Sequence, residues 1–407
     1  MKTFRRSSLI CALTLALGWV AICSGADEST NTAVPSPTLH LNLSAPLDFQ
    51  VTQRTSVAGG ELTIAGSITS DAKKNDLLPD KVEARITGKA STGELPGAWQ
   101  PLPCDSRVAG FRGQLTVPAG GWYRLEVRAW RQGVVMASAV VEHVGMGEVF
   151  VIAGQSNSAN YGEETNQTQT GLVAAFDGAR WQPAADPEPG AGGKKGSFMP
   201  MFGDALAAQF HVPIGIVATG IGSTSVREWL PNGTRLDRLP PLTKNVTTIG
   251  NGQWEVSGSI FENFTARIKL LGTNGFRAVL WHQGESDAHQ GKAERTLPGD
   301  LYREYLERLI RDSRLAIGWS APWFVAQVSY HNPEDTSSPD IRAAQKSVCD
   351  DGLALLGPDT DTLTGDLREN NGKGIHLSAK GLKEHANLWV KVVGPWLEQQ
   401  LNEPKNK

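Results

Sequence analysis

At Gly145 the hydrophobic pattern of this 407-residue chain changes period. From about Leu39 up to that point, apolar and polar residues alternate. Leu62, Ile64 and Ile68 alternate with polar neighbours, as do Val82, Ala84 and Ile86; Phe111, Leu115 and Val117 follow, then Tyr123, Leu125, Val127 and Ala129. Turn residues such as Pro118-Ala119-Gly120-Gly121 separate the runs. A period of two buries one face of each strand, and about a hundred residues of such short strands predict a β-sandwich. After Gly145, uniformly apolar runs occupy 149–152, 212–218, 276–281 and 323–328. Helical periodicity lies at 203–210, 258–272, 299–313 and 340–348, and again from Ser378 onward. Strands without a wet face, alternating with helices, predict a doubly wound parallel sheet in three α/β/α layers. The expected organisation is a smaller all-β sandwich over 39–144 followed by an α/β domain over 145–402. Gly394-Pro395 is expected to end or kink the last helix.

The segment before the sandwich reads as a leader. Lys2, Arg5 and Arg6 precede the apolar run LICALTLALGWVAI, and Ser24-Gly25-Ala26 offers small residues for cleavage, so 1–26 is expected to be a secretory signal peptide. Residues 27–38 read as a linker. Cys23 would suit a lipid-modified N-terminus, but Ile22 before it is bulky for such a cleavage site. No later stretch reaches 18 apolar residues, so an exported protein, secreted or periplasmic, without a membrane span is expected. A net charge of −3 with no basic block gives nucleic acid or anionic membrane nothing to hold. Beyond the leader only Cys104 and Cys349 remain; they fall in different expected domains and are expected to stay unpaired. No CxxC or HExxH motif suggests a metal, and no cofactor is expected. The oligomeric state is not legible.

The chemistry-bearing residues cluster at the C-terminal ends of the apolar runs, where an open α/β sheet places its site. VFVI runs into Gly154-Gln155-Ser156-Asn157. VPIGIVA runs into Gly220-Ile221-Gly222-Ser223-Thr224-Ser225 and then Trp229, and FRAVL into Trp281-His282-Gln283-Gly284-Glu285-Ser286-Asp287. A late Gly374-Ile375-His376-Leu377-Ser378 puts a histidine just before the last helix. Ester hydrolysis by a nucleophile needs a hydroxyl, a base, a group orienting the base, and donors for the oxyanion. This set supplies each of them. Ser158 stands where a GxSxG elbow would need glycine, which argues against an α/β-hydrolase. The glycine-rich run 190–196 (GAGGKKG) lacks phosphate-loop spacing and reads as a flexible surface loop.

GQSN after an apolar strand, the glycine–Ser/Thr loop ending in tryptophan, WHQGESD and the late GIHLS together resemble the sialate O-acetylesterase family. That group is similar to carbohydrate esterase family six within the SGNH (GDSL) hydrolases. The resemblance covers most of 145–402 and implies an acetylesterase acting on an acetylated carbohydrate through an acetyl-serine. It implies Ser156 as nucleophile and His376 as base. It also implies an oxyanion hole from the N–H groups of Ser156 and Gly222 and the side chain of Gln283. Many relatives carry an aspartate three positions before the histidine; here Lys373 stands there and cannot accept a hydrogen bond. Glu285 is therefore expected to orient His376, with Asp287, Asp366 or a backbone carbonyl as alternatives. Glu285 could instead be a structural carboxylate holding loop amides. Asn157, Asn160, Arg227 and His331 are candidate sugar contacts, and loops 163–199 and 230–257 are expected to set the choice of sugar. By strand alternation His282 is expected to be packed, not catalytic. Trp99, Trp122 and Trp130 are read as sandwich core. Two rival readings are an inactive glycan-binding protein on the same fold and a lipase- or thioesterase-like hydrolase; the absence of a long apolar lid in the sequence disfavours the second.

Overall fold

The computed structural model describes residues 39–70, 78–105, 110–288 and 296–403. The expected signal peptide and linker, with Cys23, lie outside the described residues. Among the described residues of 39–131 every regular element is a strand. Leu39–Ala45, Gly59–Ser70, Gly110–Pro118 and Cys104–Asp105 form one antiparallel sheet. Gln100–Leu102, Lys81–Thr87 and Gly120–Arg131 form the facing antiparallel layer with the start of Val134–Gly154. The alternating residues of the sequence meet between the sheets: Leu62, Ile64, Leu115 and Val117 join Val82, Ala84, Ile86, Leu125 and Val127 in one buried cluster. The tryptophans are not core. Trp99 is half-buried with the Arg128 and Arg85 guanidinium carbons 3.7 and 4.7 Å from its ring centre, while Trp122 and Trp130 are half-buried as well.

The expected boundary at Gly145 is not a break in the chain's structure. Val134–Gly154 is one strand of 21 residues. Its first part pairs with Gly120–Arg131, and its last seven residues become the middle of the second sheet. Glu148 marks the passage. It is fully buried, and Nε of Arg54 and Nε of Arg277 each lie 2.6 Å from one of its oxygens, with Gln53 Nε2 donating at 2.7 Å. One carboxylate thus ties an N-terminal segment and a later strand to the shared strand.

In the second sheet the strand order is Trp181–Pro183, Val173–Phe176, Ile214–Ala218, Val134–Gly154, Ala278–His282, Trp323–Gln327 and Leu355–Asp359. All pairings are parallel except that of the edge strand Trp181–Pro183. Helices Met199–Phe210 and Ala379–Asn402 cover one face through Phe202, Leu206, Trp389 and Val393. Helices Ser259–Lys269, Gly299–Ile317 and Pro339–Asp350 cover the other through Phe264, Tyr302, Leu306 and Ile341. That is the three-layer arrangement read from the sequence. The expected stop at Gly394-Pro395 does not occur: the helix carries Pro395 inside and continues to Asn402. Cys104 and Cys349 are both free, and no described helix is long and apolar enough to cross a membrane.

Candidate active site

Three parallel strands deliver their following loops to one edge of the sheet. The central strand ends at Gly154, and Ser156–Ser158 form a single 3-10 turn with Ser156 almost wholly buried. The loop after Ile214–Ala218 comes back to it, with the Ile221 N–H donating to the Gly154 carbonyl at 2.9 Å. The adjacent Gly222 lies under the Tyr161 ring, where any Cβ would collide with the phenol. Gly222 thus follows the residue that bonds to the end of the central strand.

His376 arrives from the far end of the chain. Asn157 Nδ2 donates to the Ile375 carbonyl at 3.2 Å, and the Glu163 N–H donates to the Leu377 carbonyl at 2.9 Å. The neighbours of Ser156 and of His376 are thus bonded to each other. Nδ1 of His376 lies 2.8 Å from Oε1 of Glu369. Burial holds the His376 pKa below the ordinary histidine value, against the opposing pull of the Glu369 charge. A carboxylate on Nδ1 leaves Nε2 for the reaction, the tautomer a general base needs. Ser156 Oγ and His376 Nε2 make no hydrogen bond among the described residues.

Residues 146–391, more than half of the chain, match the family described as carbohydrate esterase, sialic acid-specific acetylesterase. The chain belongs to that family. Among solved structures it is similar to a carbohydrate acetylesterase from Xanthomonas citri at 18% identity, covering 88% of this chain and 76% of that one with a TM-score of 0.49. It is similar also to a protein from Arabidopsis thaliana at 19% identity, covering 62% and 98%, TM-score 0.42. A family two carbohydrate esterase with a carbohydrate-binding domain from Corynascus thermopiles (Myceliophthora fergusii) matches at 14% identity, covering 88% and 99%, TM-score 0.38. No curated protein matches the chain.

In this esterase-family chain the acid beside the histidine is not the one expected. Glu285 is fully buried and accepts from Asn157 Nδ2 at 2.9 Å and from the Gly284 N–H at 3.2 Å. It clamps the nucleophile loop, which is the structural alternative, and burial pushes its pKa up to about 7. Asp287 is committed to the buried Arg227, with 3.0 Å between Nη2 and Oδ1, and Asp366 sits on the surface against Lys380. Glu369 reaches His376 because the two are cross-strand neighbours. Arg368 bridges Leu377, and the Glu369 N–H donates to the His376 carbonyl at 3.0 Å. Asn370 and Asn371, both left-handed (φ 55 and 56), turn the chain between them. Gly374 leaves the space: a Cβ there would collide with Glu369 Cγ. Lys373 is exposed.

The other candidates divide in the same way. Gln283 is fully buried, and its Nε2 already donates to Asp287 Oδ2 at 2.8 Å, Thr224 O at 3.2 Å and Gln155 Oε1 at 3.3 Å. With both N–H groups spent, it is not positioned to serve an oxyanion. Arg227 is likewise fully buried, bonded to Asp287, Ser225 and the carbonyls of Arg238 and Leu239, so it holds the loop rather than a sugar. Asn160 clamps the 188–191 segment, donating to Glu188 O at 3.0 Å and accepting from the Glu188 N–H at 2.8 Å. Asn157 spends its Nδ2 on Glu285 and Ile375. His331 follows Trp323–Gln327, half-buried, with its N–H on Asp335 O at 2.9 Å. His282 is packed as expected, with Nε2 2.9 Å from Thr360 Oγ1 and a pKa pushed down to about 3 by burial.

Three features escaped the sequence reading. The 190–196 run is not a free surface loop. Gly192 O accepts from the Asn160 N–H at 2.9 Å, and the Gly192 N–H donates to Gly220 O at 2.8 Å. Lys195 Nζ thereby comes within 4.0 Å of Glu369 Oε2. Tyr161 faces His376, ring centres 5.4 Å apart, with its hydroxyl against Gly222. Arg368, buried over the Tyr330 ring at 3.9 Å, donates to Ile375 O at 2.7 Å and so fixes the histidine loop from behind. The Asn-Asn-Gly turn between an acid and the histidine was the one visible signal.

Proposed function

We propose that this protein is an exported serine O-acetylesterase that removes acetyl groups from sugar hydroxyls. Ser156 Oγ attacks the ester carbonyl while His376 Nε2 takes its proton, and Glu369 holds the resulting imidazolium. The imidazolium then protonates the leaving sugar oxygen, giving acetyl-Ser156 and the free hydroxyl. Water, deprotonated by the same nitrogen, attacks the acyl carbonyl and releases acetate, regenerating Ser156. The Ser156 and Gly222 N–H groups stabilise the oxyanion in both halves. Export rests on the basic, apolar and small-residue pattern of residues 1–26.

The observation that carries the reading is the Glu369–His376 pair, tethered to the nucleophile loop through Asn157 and Ile375. Family membership supports the carbohydrate ester as substrate class. The purified protein should release acetate from acetylated sugars when tested against acetylated sialic acid, xylan and pectin. No release from any of them, nor from 4-nitrophenyl acetate, would leave a glycan-binding protein as the better reading.

A further inference from the structure

Tyr161 touches both the base and the Gly222 loop. Its segment is pinned against the 190–196 run. The Asn160 N–H donates to Gly192 O at 2.9 Å and the Lys195 N–H to Asn160 O at 3.0 Å, while Gly162 and Gly196 exchange N–H···O bonds of 2.8 and 3.1 Å. The side chain held between these bonds is housed by glycines. A Cβ on Gly222 would lie 2.4 Å from the phenol oxygen, and one on Gly193 would lie 2.9 Å from Tyr161 Cδ2. The point that a Gly192 Cβ would take is 3.6 Å from the phenol oxygen and 3.6 Å from the Gly222 nitrogen, so the two polar groups border the same space. The ring also faces the His376 imidazole, with centres 5.4 Å apart and planes tilted by 31°.

The hydroxyl itself is unspent. Tyr161 is half-buried, and its oxygen makes no hydrogen bond among the described residues. Nor is it one of the buried polar atoms left without a partner, so water reaches it. A polar tip that the protein leaves to water can take a substrate hydroxyl in water's place at little cost. In the serine-esterase reading, on which this rests, the leaving sugar oxygen must come to His376 Nε2, and the next hydroxyl of the sugar ring comes with it. That hydroxyl both donates and accepts, and so does a phenol. We propose that Tyr161 is a specificity-determining residue whose hydroxyl bonds the sugar hydroxyl beside the acetylated one. Arg227 and Asn160, which the sequence offered for such a contact, are spent inside the protein. The bond favours esters whose leaving group carries a second hydroxyl over a simple aryl ester.

Tyr161→Phe removes the oxygen and keeps the ring against His376. Because that oxygen has no partner among the described residues, the fold gives up no such bond with it. The measurement is kcat/KM of wild type and variant on acetylated sialic acid, xylan and pectin, each taken as a ratio to 4-nitrophenyl acetate, whose leaving group carries no second hydroxyl. On the sugar esters that wild type hydrolyses, the ratio should fall by about three- to tenfold in Tyr161→Phe, the usual effect of one uncharged hydrogen bond. A ratio equal to that of wild type on every sugar ester would overturn the inference. An equal fall on both kinds of ester would make Tyr161 a positioning residue for His376, and no fall on either would make it a packing residue. Wild-type turnover of the aryl ester alone would also overturn the inference, while leaving a serine esterase. A wild-type protein inactive on every one of these esters would remove the esterase reading and the inference together.

Discussion

Nδ1 of His376 lies 2.8 Å from Oε1 of Glu369, although seven positions separate the two residues in the chain. The loop between them closes as a bridge between Arg368 and Leu377, so acid and base are neighbours across a turn. Lys373 is exposed, and the carboxylate that meets His376 comes from the other arm of that turn.

This assignment predicts unequal effects of two isosteric changes. Glu369→Gln should lower kcat by at least about a hundredfold, since an amide neither fixes the tautomer nor stabilises the imidazolium. Glu285→Gln should leave turnover close to wild type, because an amide oxygen can accept the same Asn157 and Gly284 N–H groups. Steady-state kinetics of the two purified variants decide between them, and the reverse order would return the acid role to Glu285.

The pH profile follows from the same pair. The base must be neutral to take the serine proton, and burial lowers the His376 pKa. The rising acid limb of kcat/KM should therefore have its midpoint below about 6.5, the ordinary histidine value. Glu369 opposes that shift by favouring the imidazolium. Its replacement by glutamine should move the midpoint further down in pH, in addition to lowering the plateau. A limb that stays put or moves up in Glu369→Gln would contradict the contact.

Glu148 joins the two halves through charge, and its loss should be felt as stability. Glu148→Ala leaves the buried Arg54 and the nearly buried Arg277 without their carboxylate. Removing one partner of a buried ion pair typically costs about 3–5 kcal/mol. Urea denaturation should show a loss of that order, and a near-neutral result would mean that the two arginines find other partners.

Glu188 makes the opposite prediction. It is 1% exposed, neither carboxylate oxygen has a hydrogen-bond partner among the described residues, and burial, aided by the Asp186 charge, pushes its pKa up to about 8. The folded protein holds this proton while the unfolded chain, with its lower pKa, has released it. The group's contribution to stability is therefore full below about pH 4 and falls as pH rises toward 8. Glu188→Gln abolishes that titration. The Tm of the variant relative to wild type should rise between pH 5 and pH 8.5, and a constant difference would contradict the buried acid.

What was legible in the sequence is what periodicity and strand ends report. The alternation through Leu62–Ile68 and Val82–Ile86, the buried runs and the helices placed the sheets. Val173–Phe176 and Leu355–Asp359 were missed: the first is only four residues long, and the second carries Gly357 and Pro358, which read as a turn. Polar residues were the harder part, because a side chain's type does not tell which way it points. Arg227 and Asn160 carry the groups a sugar site would use, and both are spent inside the protein. Glu369 was hidden by a spacing rule, since the eye looks three positions upstream and the turn is longer.

The most direct measurement of the whole account is acetate release by wild type and Ser156→Ala, side by side, on 4-nitrophenyl acetate and on acetylated sugars. The account predicts turnover by wild type and a loss of at least about a thousandfold in Ser156→Ala, because no other group there can carry the acyl intermediate. Undiminished activity in Ser156→Ala, or a folded wild-type protein that releases no acetate, would contradict it.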